Sequence, residues 1–226
     1  FEHTWNQVGR WLTVTDGKGV GQFRQIVGYD AGTGTYTVDR PFRVVPDPTS
    51  MVNIGDVTAN VAIYNNALDG KAANVTTSSH NASVGIDPFG GGLNWVVDGN
   101  TLTDLRTGIS LWALSNGDPA GVQPTWWTQV INNDITFCRT GLSTTSPTIS
   151  EGDPGAALLG NVFRDIVIDG AIDRGIGHGG GSAPPDTAAL NVFQDVTALD
   201  APVGADLGGV VKDAVLVSND FVLGSK

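Results

Sequence analysis

Between Leu93 and Asn219 the chain repeats one pattern of apolar and polar positions four times. Each copy has an apolar run of three to five residues, an Asn or Asp step, a second apolar run, and a glycine followed by an aliphatic or small residue. The glycines that close the copies are Gly108, Gly141, Gly175 and Gly204. They are spaced by 33, 34 and 29 residues. A near-constant period of this length predicts a stacked array of repeats.

The residue types of the apolar runs indicate strands. The runs are rich in Val, Ile, Thr and Phe and are interrupted by Gly, Asn and Asp, whereas helical repeats need longer apolar stretches at helical spacing. We therefore predict an all-β fold, a right-handed parallel β-helix (solenoid) over residues 51–226. Inward side chains of successive coils then stack about 4.8 Å apart. The residues expected at turns and in hydrogen-bonded ladders are Asn100, Asn133, Asp169 and Asp200.

The repeated segments resemble a known family. Their Asn-x-Val/Ile and Gly-Ile steps, as in Asn94-Trp95-Val96 and Gly175-Ile176, are similar to the coils of pectate-lyase-like β-helix proteins. That resemblance implies the fold and says little about the reaction, because the same fold carries lyases, hydrolases, adhesins and phage spikes.

Residues 1–50 do not match the repeat, and we expect a small antiparallel β module there. The stretch 10–42 alternates apolar and polar residues, and turn residues occur at Asp16-Gly17 and in 30–34. It resembles a Gly-x-Gly-Gln-x-Arg module of phage tail and secreted bacterial β-helix proteins; the matching residues are Gly19, Gly21, Gln22, Arg24, Ile26 and Tyr29. The resemblance implies an element beside the solenoid or capping it. We expect it to cover the first coil, whose strand edges would otherwise be open.

The composition limits the classes of partner that the protein can bind. The chain has 226 residues, 23 acidic and 12 basic, and its net charge of −11 argues against nucleic acid or an anionic membrane surface. No run of 18 apolar residues exists, so we expect no membrane span. The chain starts at Phe1, which suggests a mature product or a fragment of a longer protein. No polar capping helix follows the last coil, so we expect a continuation of the chain or another subunit of a homo-oligomer to cover that end. Cys138, the single cysteine, is expected to be a small buried hydrophobe.

Longer excursions follow each Gly-aliphatic step and predict one loop-bearing face. Insertions at one phase of a solenoid project from the same side, which is commonly the binding side. An acid stands beside proline in each of the four excursions, at Asp87, Asp118, Asp153 and Asp186. The other notable residues in or beside these excursions are Trp112, Trp126, Trp127 and His178.

Two chemistries could use this face. Aromatic rings beside carboxylates suit polysaccharide binding, with Trp112, Trp126 and Trp127 stacking on sugars. Two carboxyls about 5–10 Å apart could hydrolyse a glycosidic bond. The candidate catalytic residues are Asp118, Asp153 and Asp186, with Arg174 and His178 nearby. No cofactor is expected, although clustered Asp side chains could also hold Ca²⁺; equally, Asp-Pro steps are ordinary turn formers.

Three arginines stand just before the repeated glycines. Arg106, Arg139 and Arg174 could form a column that grips carboxylated sugars, or that serves a β-eliminating lyase. Alternatively they pair with neighbouring acids such as Asp104 and Asp173. No longer catalytic signature of a lyase family is present.

The resulting hypothesis is an extracellular or cell-surface β-helix that recognises a polysaccharide along its loop-bearing face and acts as a glycoside hydrolase or polysaccharide lyase if it cleaves. The alternative is a non-catalytic structural or adhesive module of a phage-tail-like fibre, a surface layer or a larger secreted protein. A close pair of partly buried carboxylates in the loop cleft would favour the first hypothesis, because a fibre has no use for a raised carboxyl pKa.

Overall fold

A computed structural model describes residues 6–71, 75–76, 83–115, 122–146, 155–180, 188–207 and 211–224. Its described residues form an all-β structure. The N-terminal strands are β1 (Trp11–Asp16), β2 (Phe23–Asp30), β3 (Thr35–Val38) and β4 (Met51–Gly55). The first coil has β5 (Thr58–Ala59), β6 (Ala62–Tyr64), β7 (Ala67–Asp69) and β8 (Val84–Ile86), and the second has β9 (Gly92–Leu93), β10 (Val96–Asp98), β11 (Thr101–Thr103) and β12 (Thr107–Trp112).

The remaining strands continue this order. A short antiparallel hairpin joins β13 (Leu114–Ser115) and β14 (Val122–Gln123). The third coil has β15 (Thr125–Trp126), β16 (Gln129–Ile131), β17 (Asp134–Thr136) and β18 (Thr140–Ser146). The last three coils have β19 (Leu158–Leu159), β20 (Val162–Asp169) and β21 (Arg174–Gly180); β22 (Ala188–Ala189), β23 (Val192–Ala201) and β24 (Ala205–Asp206); and β25 (Val211–Lys212), β26 (Val215–Val217) and β27 (Asp220–Leu223).

Equivalent strands of successive coils pair in parallel, which confirms the predicted β-solenoid. The first strands of the coils form one sheet in the order β25-β22-β19-β15-β9-β5. The fourth-position strands form the sheet β24-β21-β18-β12-β8. The strands between these two sheets form a ten-stranded sheet. In the earlier coils a corner separates two strands of this sheet, such as β16 and β17. In the fourth and fifth coils one longer strand, β20 or β23, spans both positions.

The predicted antiparallel module is present at the N-terminus, in the sheet order β3-β2-β1-β4. Residues 51–55, which the sequence analysis assigns to the first coil, lie in this sheet, because β4 pairs antiparallel with β1. The motif residues Gln22 and Arg24 hold the segment that links β3 to β4. Gln22 Oε1 accepts from the amides of Arg43 and Val44 at 2.8 and 3.2 Å. Arg24 donates to the carbonyls of residues 40 and 41, and its guanidinium lies 4.8 Å from the Phe42 ring centre.

The module docks on the flank of the solenoid rather than over its first coil alone. Trp11 and Phe23 pack against a buried cluster whose members are Val57, Leu93, Trp126, Ala156 and Leu159. The amide of Ala156 donates to the carbonyl of Thr15 at 2.9 Å. Leu159 belongs to the fourth coil, so the contact extends well beyond the first coil, where we expected the module to sit.

The solenoid core consists of side chains stacked from coil to coil. Phe163 and Phe193 occupy equivalent positions of β20 and β23, and their rings stack with centres 4.7 Å apart and an interplanar angle of 5°. Both side chains are fully buried. This geometry agrees with the spacing expected between neighbouring strands.

The repeated glycines are required because a side chain would not fit at their positions. A Cβ on Gly141 would lie 2.5 Å from Ile168 Cγ2 and 2.8 Å from the carbonyl oxygen of Gly175. A Cβ on Gly108 would likewise lie 2.6 Å from Ile135 Cγ2. Each glycine therefore lets the inward aliphatic side chain of the next coil approach the backbone.

Candidate functional site

The loops that the sequence places at one phase leave the solenoid from neighbouring strands of one sheet. β8, β12, β18 and β21 all belong to the five-stranded sheet, and the excursions follow their ends. The parallel register sets their relative positions: Ile86 is opposite Ile109, and Trp112 is opposite Thr145. This sheet edge is therefore the loop-bearing face.

An aromatic pair lies on that face. Phe89 and Trp112 are each three residues beyond the paired positions Ile86 and Ile109. Their rings meet edge to face, with centres 5.7 Å apart and an interplanar angle of 75°. The Phe89 side chain is 65% exposed, while the indole Nε1 of Trp112 is buried and finds no hydrogen-bond partner among the described residues. The pair thus offers an apolar surface, whereas the indole donor of Trp112 is buried.

Asp87 is the titratable group of this region whose pKa is most clearly perturbed. Burial raises the pKa of Asp87 to about 6. Its Oδ1 is buried, and no described residue donates a hydrogen bond to it. A carboxyl in this state is suited to binding a cation or to transferring a proton, because desolvation raises the free energy of its charged form.

Asp87 also lines a pocket of about 430 Å³ at the first coil. The apolar lining residues are Ile63, Leu68, Ile86 and Trp95, and Asn66 and Asp87 supply polar atoms. Its volume lies in the range of small-molecule sites. The sequence identifies Asp87 only as one of four acids beside proline. The pocket is formed by residues of β6, β7 and β8 that the first coil brings together, and it has no sequence signature.

The predicted catalytic acids Asp118, Asp153 and Asp186 lie outside the described residues. His178 lies in β21 opposite Thr144, and its side chain is outside the described part. Within the described residues, no group of three or more His, Cys, Asp or Glu could hold a metal ion.

The predicted sugar-stacking tryptophans have three different environments. Trp112 is on the loop-bearing face, as described. Trp126 is fully buried, and its Nε1 donates to the carbonyl of Ala156 at 2.7 Å, so it is a core residue here and cannot stack on a sugar from solvent. Trp127 Nε1 donates to the carbonyl of Gly21 at 2.9 Å, which attaches the solenoid to the N-terminal module.

Arg139 and Arg174 form cross-coil ion pairs, and the three arginines do not form one column. Thr140 is opposite Arg174, so Arg139 is opposite Asp173. Arg174 is therefore displaced by one residue from the position that would stack on Arg139. Arg139 Nε lies 2.5 Å from Asp173 Oδ2, and Arg174 pairs with Asp206. Arg106 is part-buried and has an interaction of its own. The expected column changes register because the third repeat has one residue more before its glycine.

Cys138 is buried, as expected. Its side chain is 1% exposed, and burial raises the pKa of the thiol to about 11. A thiol with this pKa is protonated at neutral pH and is unsuited to nucleophilic chemistry.

Comparison with known proteins adds no assignment. No protein-family model, curated protein or solved structure gives a significant match to this chain. Among the described residues, no helix is long and apolar enough to cross a membrane. The class that the fold supports is therefore a parallel β-solenoid with a side-docked antiparallel module.

Proposed function

We propose that this protein is an extracellular β-solenoid that binds polysaccharide on its loop-bearing face. The observation that carries the proposal is the aromatic pair of Phe89 and Trp112. Sugar rings present apolar faces that pack on aromatic rings, and the Phe89 ring of this pair is exposed. The resemblance of the coils to pectate-lyase-like proteins, and of the N-terminal module to phage tail and secreted bacterial proteins, gives further support.

The electrostatics favour neutral over carboxylated polysaccharides. Arg139 and Arg174, which were expected to bind uronic acids, are engaged by Asp173 and Asp206. With a net charge of −11, the protein also repels polyanions. A lyase that acts on uronates is therefore the less favoured form of the enzyme hypothesis.

The loops also carry the acidic residues that a glycoside hydrolase would use. Its acid and base would come from Asp118, Asp153 and Asp186, with Arg174 and His178 beside them. Such an enzyme needs one carboxylic acid to protonate the leaving oxygen and a second carboxylate as base or nucleophile. Calcium held by the same acids is an alternative use of these loops.

The first experiment is a panel of neutral and acidic polysaccharides tested for binding, new reducing ends and the ultraviolet absorbance of unsaturated products. We expect Phe89→Ala and Trp112→Ala to weaken binding about tenfold or more, because each removes stacking area. The matched control is Tyr64→Ala, since Tyr64 is an exposed aromatic residue, 49% accessible, on β6 of another sheet. Equal losses in all three variants, or no binding in the panel, would contradict the proposal.

A second candidate function is a non-catalytic structural or adhesive module of a phage-tail-like fibre, a surface layer or a larger secreted protein. The cross-coil pair of Arg139 and Asp173 favours it, because this arginine is used to join coils. Under this hypothesis the panel gives no cleavage, and neutralising Asp118, Asp153 and Asp186 changes no measured binding.

A further inference from the structure

The pocket beside Asp87 is distinct from the aromatic surface and has a chemical preference of its own. It lies at the first coil, where the stack of inward side chains ends. Ile63 and Leu68 are only partly buried there, although their counterparts Val97 and Leu102 in the second coil are fully buried. The exposed end of the core thus forms an apolar concavity of about 430 Å³.

The polar atoms available to a ligand in this pocket are acceptors. Asp87 Oδ1 is buried without a hydrogen-bond donor among the described residues. Asn66 begins a ladder of side-chain amides, and its Nδ2 already donates to Tyr64 O and to Asn100 Oδ1, each at 3.0 Å. Its Oδ1 has no described coil before it to supply a donor. The Nε1 of Trp95 is also occupied, since it donates to the carbonyl of Thr58 at 3.2 Å.

The charge of the pocket is negative and uncompensated among its lining residues. Asp87 is their single charged member; Ile63 of β6, residues 66–68 and Trp95 are uncharged. Burial raises the pKa of this carboxyl to about 6, so it is ionised at neutral pH in a partly desolvated position. A cation beside it would recover part of the lost solvation energy.

We propose that this pocket binds a primary ammonium group carried on a short apolar stem. An ammonium supplies three donors and no acceptor, which matches the side-chain oxygen of Asn66 and the carboxylate of Asp87. Its stem would fill the space between Ile63, Leu68 and Ile86 and remove apolar surface from water. The indole of Trp95, which lines the same space, adds a ring face for the cation. The inference is independent of polysaccharide binding.

The test uses n-pentylammonium as the probe, with pentan-1-ol and pentanoate as neutral and anionic probes of the same length. Affinity is measured at pH 7.5 by calorimetry or by chemical-shift titration. We expect n-pentylammonium to bind at least tenfold more tightly than pentan-1-ol, and pentanoate not to bind. Asp87→Asn should abolish the difference between ammonium and alcohol, whereas Asp134→Asn, an equal charge change at an exposed position of β17, should leave it intact.

The pH dependence of binding to the wild-type protein is a second test, which needs no variant. Between pH 7.5 and pH 5 the alkylammonium stays protonated, while Asp87, with a pKa of about 6, takes up a proton. The affinity for n-pentylammonium should therefore fall about tenfold over this interval, and that for pentan-1-ol should not change.

Three results would overturn the inference: equal affinity for the ammonium and the alcohol, an affinity independent of pH, or no binding of n-pentylammonium at millimolar concentration. Phe89→Ala and Trp112→Ala should retain ammonium binding. Loss of polysaccharide binding in those two variants with ammonium binding intact separates this pocket from the proposed polysaccharide surface.

Discussion

At the residue scale, the glycines before each loop are determined by contact with the next coil. The backbone of Gly141 lies so close to Ile168 that a methyl group has no space. None of the glycines 108, 141, 175 and 204 has a positive φ, so conformational freedom is not the reason for them. The regular period seen in the sequence is thus a packing requirement of the core.

Gly141→Ala should destabilise the protein by about 1–3 kcal/mol, because the added methyl group overpacks the core. The free energy of unfolding from denaturant titration measures this. Gly32→Ala is the control, since a Cβ there would meet only the side-chain oxygen Asp30 Oδ1, at 3.3 Å. A loss for Gly141→Ala no larger than that for the control would refute the packing explanation.

At the element scale, ladders of asparagine side chains join neighbouring corners. Asn133 Oδ1 accepts from the backbone amide and side-chain Nδ2 of Asn100 at 2.9 and 3.0 Å. Asn133 Nδ2 in turn donates to the carbonyls of Val97 and Ile131. Where β20 continues through the same corner, Ile166 takes the position equivalent to Asn133 and supplies no side-chain amide.

A second ladder occupies the preceding corner in the later coils. Asn161 N and Nδ2 both donate to Asn191 Oδ1, at 3.1 and 3.0 Å, and Asn161 Oδ1 accepts from the amide of Thr128. The ladders therefore replace one another along the solenoid. Each satisfies backbone groups that a corner removes from the strand hydrogen bonds.

Asn133→Ala should lower the free energy of unfolding by about 2–4 kcal/mol, because several buried polar groups lose their partners together. The matched control is Asn132→Gly. Asn132 has a φ of 52° at the adjacent position, so glycine fits its backbone and only an exposed bond to Asp98 is lost. Thermal and denaturant unfolding of both variants give the comparison. A cost for Asn133→Ala similar to that of the control would show that the ladder contributes little.

At the scale of the whole molecule, the N-terminal module and the solenoid are joined through Trp127. This residue has a φ of 58°, in a corner position where other coils have Asn60, Asn94 or Gly160. A tryptophan is unfavourable in this left-handed conformation. It is held because its indole packs over Gly160 and donates to the carbonyl of Gly21.

Trp127→Gly should relieve the backbone strain of the solenoid while weakening the attachment of the module. We expect faster amide hydrogen exchange in β1 to β4, equivalent to a loss of about 2–4 kcal/mol of local stability, with exchange in β16 to β18 unchanged. Leu190→Gly is the control, because Leu190 has a φ of 54° at the same corner and is 52% exposed. Uniform loss of protection throughout the chain would argue against a separable attachment.

The sequence by itself determined the parallel solenoid, the antiparallel module and the phase of the loops. These features follow from the strand-forming residue types of each segment and from the period at which the segments repeat, and both can be read from the sequence directly. The same reasoning located Asn100 and Asn133 in a ladder, because a stacked turn repeats its hydrogen-bonding residue. Asn161 and Asn191 begin two of the repeats and so carried a similar signal.

Only the tertiary structure decided which side chains share a surface. Trp126 and Trp127 are adjacent in sequence, yet one is in the core and the other binds the module, since a corner turns successive side chains in different directions. A single extra residue moved Arg174 out of register with Arg139. The pocket at Asp87 arises where the core stack ends and brings together residues of three strands, which no local pattern records. Burial raises the pKa of Asp87 there.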